Sequence, residues 1–264
     1  MSAILSYLSL AATLASPKWT EVDCEFVDQV PILKIVAEES GRKEARRYLL
    51  DSGAGASIRL AFPQGPFEEG RKVRLGTLGE VTFYNGRESI KNPWCLKWFG
   101  KMNIDGLIGG DFFRVHDVFI DYEKHKVFIS REYKPDSFEE VLNWNTKGAW
   151  QIGLIDLEGW LIAATVANES LNFSIFDTGC SRSSRPALDR QRPEKATSQW
   201  IIGTLNNYQG WSEKTLMSFG GAQPGLKVEI DLVYAPGIFD CVAPSDVGKQ
   251  VLLSGRRKEA WVWR

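Results

Sequence analysis

Two short segments of this chain carry the residue types of carboxylate chemistry: Asp51-Ser52-Gly53 and Asp177-Thr178-Gly179. Each ends an apolar run, Tyr48-Leu49-Leu50 in the first case and Ser174-Ile175-Phe176 in the second. A strand ending in Asp fixes that carboxylate, Gly allows a tight turn beside it, and the hydroxyl residue can hydrogen-bond across to a twin loop. Two such loops brought together set two carboxylates so close that both cannot ionise, and one proton is shared. The ionised partner then takes a proton from water while the protonated one donates to a carbonyl oxygen. Help of this kind is worth about 10²–10⁴ in rate and needs neither metal nor cofactor.

Other chemistries lack raw material. The only histidines are His116 and His125, both in one charged stretch read as solvated surface, so Ser-His-Asp, Cys-His and multi-histidine zinc sites are hard to build. Cys24, Cys95, Cys180 and Cys241 show no CxxC spacing; they fit two disulfides in an oxidising compartment or four buried thiols. A net charge of −1 with both signs mixed points to neither nucleic acid nor a membrane surface as partner. Asp105 and Asp111 read as strand-end or helix-capping acids, Tyr84 as sheet packing, and Gly41–Arg47 as an exposed hairpin.

The elements that must position the aspartates recur. Leu75-Gly76-Thr77-Leu78 and Ile202-Gly203-Thr204-Leu205 follow their aspartates at nearly the same distance. Ile104–Asp111 is answered by Phe239–Asp246, and each is followed by a closing strand, Val118–Ile129 and Val251–Trp263. Landmarks repeated in one order mark a duplication. With 264 residues, 10 Trp and 14 Phe, the chain has enough apolar volume for two modest β cores. Strands are predicted at Val73–Leu75, Glu80–Tyr84, Lys126–Ile129 and Lys227–Val233, with short helices after Asp111 and at Asp136–Leu142. The halves are expected to run over 19–131 and 148–264, joined by a linker at 132–147. The uncharged run Ala3–Ala15 reads as an export signal over 1–15, or else as a buried segment or anchor. A signal would make the protein secreted or periplasmic; otherwise it is expected in the cytoplasm.

Leu49-Leu50-Asp51-Ser52-Gly53-Ala54 together with Asp105-Gly106-Leu107-Ile108-Gly109-Gly110-Asp111 resembles the aspartic peptidases of the retropepsin type. Phe176-Asp177-Thr178-Gly179 resembles the same loop again, so the chain looks like the fused, two-lobed form found in pepsins. The resemblance implies an all-β fold of two pseudo-twofold-related β-barrel lobes, with a few short helices and a cleft between them. It implies that Asp51 and Asp177 are the catalytic pair, Ser52 and Thr178 the cross-bonding hydroxyls, and Gly53 and Gly179 the turn glycines. Gly76, Thr77, Leu78 and Gly79 fall where the family carries a flap over the substrate, with Gly203-Thr204-Leu205 as counterpart. A monomer acting on extended polypeptides is implied, with no metal or cofactor.

Two departures stand out. The second apolar-apolar-Gly motif reads Val242-Ala243-Pro244, with Pro where Gly is expected and Cys241 opposite Gly106; Cys180 replaces the usual Ala or Ser. The two segments run side by side in this family, so Cys180 and Cys241 are expected to meet, as thiols or as a disulfide. The Pro opens a second reading, a degenerate copy that binds extended peptides by strand addition without cleaving them. A glycosidase with paired carboxylates is disfavoured, because that chemistry has no use for the flanking hydroxyl and glycine.

Overall fold

The computed structural model of the protein describes residues 19–59, 70–85, 102–130, 148–187, 197–202, 207–220, 225–235 and 240–264. Segment 1–15, Cys95, the 132–147 linker with its expected helix, and Gly203-Thr204-Leu205 lie outside the described residues.

The structure is mostly β. The first half contains β1 (Trp19–Val22), β2 (Cys24–Val27), β3 (Val30–Glu39), β4 (Arg42–Leu50), β5 (Ile58–Arg59), β6 (Arg71–Leu75), β7 (Glu80–Asn85), β8 (Gly106–Ile108), the one-turn helix α1 (Gly110–Phe113), β9 (Asp117–Asp121) and β10 (Lys126–Ser130). The second contains β11 (Ala149–Leu157), β12 (Trp160–Ala167), β13 (Ser170–Phe176), β14 (Ser184–Pro186), β15 (Thr197–Ile202), β16 (Asn207–Phe219), β17 (Lys227–Ala235), β18 (Cys241–Val242), α2 (Pro244–Val247), β19 (Gln250–Ser254) and β20 (Glu259–Trp263). The segments expected as single closing strands are hairpins instead, β9–β10 and β19–β20, because the polar turns at His125 and Lys258 take positive φ and reverse the chain.

Local chemistry sets the first hairpins. The two-residue loops Asp28-Gln29, Ser40-Gly41, Glu158-Gly159 and Asn168-Glu169 all have positive φ at both positions. That is the turn geometry whose twist matches the flanking strands. Longer-range pairing closes two rings. In the first, β3-β4-β8-β5-β7-β6 returns to β3; in the second, β12-β13-β18-β14-β17-β16 returns to β12. The pairing senses match step for step, with β4–β8, β5–β7, β13–β18 and β14–β17 parallel and the others antiparallel.

A further antiparallel run, β1-β10-β9-β19-β20-β11, joins the halves, with Phe119 facing Leu252 across its central pair. One face buries Trp19, Phe119, Phe128, Leu252 and Trp263, and the alternate residues Val118, Ile120, Val127, Ile129, Val251 and Leu253 join the main core. Inside the first ring, Tyr48 stacks on Phe83 with ring centroids 5.0 Å apart. Each such fully buried large side chain contributes roughly 1.5–3 kcal/mol. This core makes the ends of β4 and β13 rigid mounts for the two Asp-Ser/Thr-Gly loops.

Candidate active site

Both aspartates sit directly beyond a central strand. β8 runs parallel to β4, and the Asp51 amide extends that pairing by donating to the Ile108 carbonyl at 2.9 Å. β18 runs parallel to β13, and the Asp177 amide donates to Val242 O, also at 2.9 Å. The loops then turn alike. Gly53 N donates to Asp51 Oδ1 at 3.0 Å and Gly179 N to Asp177 Oδ1 at 2.7 Å. The Ala54 and Cys180 amides return to the carbonyls of their own aspartates.

The two loops are locked to each other by their hydroxyl residues. The Ser52 amide donates to Thr178 Oγ1 and the Thr178 amide to Ser52 Oγ, both at 3.0 Å. Ser52 Oγ donates onward to Phe176 O at 2.6 Å, and Thr178 Oγ1 to Leu50 O at 2.8 Å. Each aspartate consequently lies over the other loop's glycine. A Cβ built on Gly53 would stand 2.4 Å from the Asp177 carboxyl carbon, and one on Gly179 would stand 2.6 Å from that of Asp51. Glycine is required at both positions by this close approach.

Asp51 is fully buried and Asp177 nearly so. Burial pushes the Asp177 carboxyl above the usual carboxylate range, against hydrogen bonds from Asp51, the Gly179 and Gly53 amides and Cys241 that pull it down. Two carboxyl groups in hydrogen-bond contact and out of water share a proton, so the pair can act as acid and base together.

Ser57 and Ser183 brace the loops from behind, and sequence reading missed both. Ser57 Oγ accepts from the Gly109 amide at 3.0 Å and donates to Asp111 Oδ1 at 2.7 Å. Ser183 Oγ accepts from the Ala243 amide at 3.0 Å, and its own amide donates to Asp246 Oδ2 at 2.7 Å. Burial raises both Asp111 and Asp246. The signal was available: a serine stands at the same distance after each aspartate. Asp105 ends the approach to β8, held by Arg46 Nη1 and the Arg47 amide, both at 2.9 Å.

Three expectations change. The strand register pairs Cys241 with Ile175 as Leu107 pairs with Leu49, so Cys241 corresponds to Leu107 rather than to Gly106. Pro244 then opens α2, as Gly110 opens α1. First helical position is where proline's fixed φ and missing N–H cost nothing, and the Asp177 loop is undisturbed.

The turn Gly76-Thr77-Leu78-Gly79 is not brought to the aspartates. Gly76 N donates to Val36 O, Leu75 N to Gly79 O, and Leu78 is buried in the core. Val36 pairs with Ala45, about 20 Å along β4 from Asp51 at roughly 3.3 Å per residue. These residues close the first ring between β6 and β3.

His116 is buried, not solvated. Its Nδ1 lies 2.7 Å from Ser130 O and its ring stacks on Phe112 at 4.2 Å. His125 is exposed.

Cys180 and Cys241 do meet. Both are buried and unbridged, and the Cys241 thiol points to Asp177 Oδ2 at 3.8 Å. Hydrogen bonding with Cys180, then burial, pushes the Cys241 thiol up. Compared with models of known protein families and with curated proteins, the chain matches none.

Proposed function

We propose that this chain is an aspartic endopeptidase that hydrolyses peptide bonds through a water activated between Asp51 and Asp177. The observation that carries the reading is the reciprocal Ser52–Thr178 bonding, which holds two buried carboxyl groups face to face from two separate strands. Nothing in folding alone calls for burying two acids against each other, since the charged forms lose solvation and repel. The arrangement makes sense as a poised proton-sharing pair, with one carboxyl polarising the substrate carbonyl and the other taking the proton of the attacking water.

The chain is, in this reading, two lobes related by a pseudo-twofold axis. Its support is the matched order and sense of the two rings, and a joining sheet that reads alike from either end. The axis runs between Asp51 and Asp177, and the substrate is an extended polypeptide laid across it. Both aspartates belong to one chain, so a monomer suffices.

The non-cleaving alternative rested on Pro244. Its place at the start of α2, and the equal 2.9 Å bonds from the Asp51 and Asp177 amides, favour a competent second loop. The test is cleavage of a mixed peptide library from acidic to neutral pH, with and without pepstatin. Cleavage blocked by pepstatin and abolished in both Asp51→Asn and Asp177→Asn is the expected result. A folded protein that binds peptides and cuts none of them would overturn the reading.

A further inference from the structure

We propose that Asp177, Cys180 and Cys241 form a binding site for a thiophilic divalent cation, zinc foremost. One donor atom from each residue lies within 4.8 Å of the other two, and all three residues are buried. Cys241 Sγ lies 3.8 Å from Asp177 Oδ2. Ligand atoms around tetrahedral zinc stand roughly 3.5–3.8 Å apart, given metal–ligand bonds of about 2.0–2.3 Å. A contraction of about 1.3 Å at most completes the triangle.

The donor set selects the metal. Two sulfurs and one carboxylate oxygen suit zinc, whereas magnesium and calcium demand oxygen-rich shells. Two thiol protons leave to solvent as the metal–sulfur bonds form, and the proton shared by the carboxyl pair stays on Asp51, so three anionic ligands meet one dication. Three protein ligands leave a fourth position for water, unlike the closed four-ligand shell of a structural zinc.

Cys180 Sγ donates to Arg182 O at 2.7 Å, but the equivalent positions of the first half carry no sulfur. Ala54 makes the same amide-to-aspartate turn bond as Cys180, and Leu107 holds the same register beside β4 that Cys241 holds beside β13. The first half does both jobs without sulfur. Cys180 and Cys241 also pack with Val233 and Ala243, and if they served only as small apolar residues no metal stoichiometry would result. Ligation takes the Asp177 carboxylate away from Asp51, so the metal is an inhibitor; this consequence alone rests on the proposed peptidase activity.

The experiment is a titration of the fully reduced, full-length chain with Co²⁺ and then with Zn²⁺ as competitor. One equivalent of cobalt with thiolate-to-metal charge-transfer absorption, displaced by zinc, is expected. Cys180→Ser, Cys241→Ala and Asp177→Asn should each weaken binding by more than about 10-fold, the loss seen when even a ligand's supporting residue is removed. Cys24→Ser and Cys95→Ser should bind like the wild type. Absence of a stoichiometric cobalt–thiolate signal would overturn the site, as would binding unchanged in both Cys180→Ser and Cys241→Ala. In peptide cleavage, the ratio of rates with and without zinc should move toward one in Cys241→Ala. A chain that cuts nothing under any condition defeats the peptidase reading while the cobalt titration still decides the metal site.

Discussion

The amide of Ser52 and the hydroxyl of Thr178 are 3.0 Å apart, and so are the amide of Thr178 and the hydroxyl of Ser52. Each hydroxyl also reaches a carbonyl of the opposing strand, so the network ties β4 to β13 through four bonds with no solvent access. Thr178→Val removes the acceptor of one buried amide and the donor to one buried carbonyl. Leaving such groups unsatisfied costs about 1–3 kcal/mol each, so an overall loss of roughly 2–6 kcal/mol is expected. Thr178→Ser keeps the hydroxyl and should lose less than about 1 kcal/mol. Urea unfolding of the two variants measures the difference, and equal losses would remove the hydroxyl from the account.

Gly53 and Gly179 carry a different burden. Their positions are dictated by the neighbouring carboxyl groups, since the missing Cβ atoms would fall inside contact distance of Asp177 and Asp51. Gly53→Ala or Gly179→Ala must push the opposing carboxyl aside by a sizeable fraction of an ångström. Under the proposed function, misplacement on that scale lowers kcat/KM by about 100-fold. The fold should persist, because each carboxyl can swing; circular dichroism alongside the kinetics separates the two effects. Unimpaired cleavage in both variants would show that the pair is not the reacting centre.

Asp177 also links pH to stability. Burial raises its carboxyl, so the folded protein keeps a proton that the unfolded chain releases. Where the native state binds more protons, stability falls as pH rises. The stabilisation is therefore full at acidic pH and fades through the raised titration. Wild-type unfolding free energy should decline across that range relative to Asp177→Asn, which has no such proton to lose. Superimposable pH profiles for the two proteins would contradict the assignment. Cleavage should decline on the same alkaline side, as the shared proton leaves the pair.

The aspartates and their hydroxyl partners were legible because identical chemistry recurs twice behind apolar strands, and a repeated motif carries its own control. What escaped was tertiary. The parallel pairings β5–β7 and β14–β17 join residues with no local signature, so the ring order could not be read. Asp28-Gln29 and Asn168-Glu169 form tight hairpins without glycine, stabilised by the strands they connect. Gly76–Gly79 has the composition of a mobile tip, but the backbone bond to Val36 and the burial of Leu78 fix it to the ring. A two-residue strand, β18, gave too little pattern to set the register of Cys241. His116 looked exposed among charges, yet the single turn of α1 folds it against Phe112.

The halves also meet backbone to backbone, which separates strong from weak contacts. A Cβ on Gly110 would stand 1.7 Å from the Gly159 carbonyl oxygen, and Gly159 itself presses on Gly55 O. Neither backbone can yield without moving the loop after Asp51, since the Gly110 amide donates to Ala54 O at 2.6 Å. Beside this contact, Arg114 grips Asp156 through two bonds of 2.7 Å, but the arginine side chain is 44% exposed. Solvent screens such a pair, so Arg114→Gln should cost no more than about 1 kcal/mol, and less at high salt. Gly110→Ala, by contrast, overpacks rigid backbone and should cost roughly 3 kcal/mol or more. Thermal unfolding of both variants at low and high ionic strength gives the comparison. A salt-sensitive loss in Arg114→Gln larger than the salt-insensitive loss in Gly110→Ala would mean that charge, not close backbone packing, holds the two halves in register.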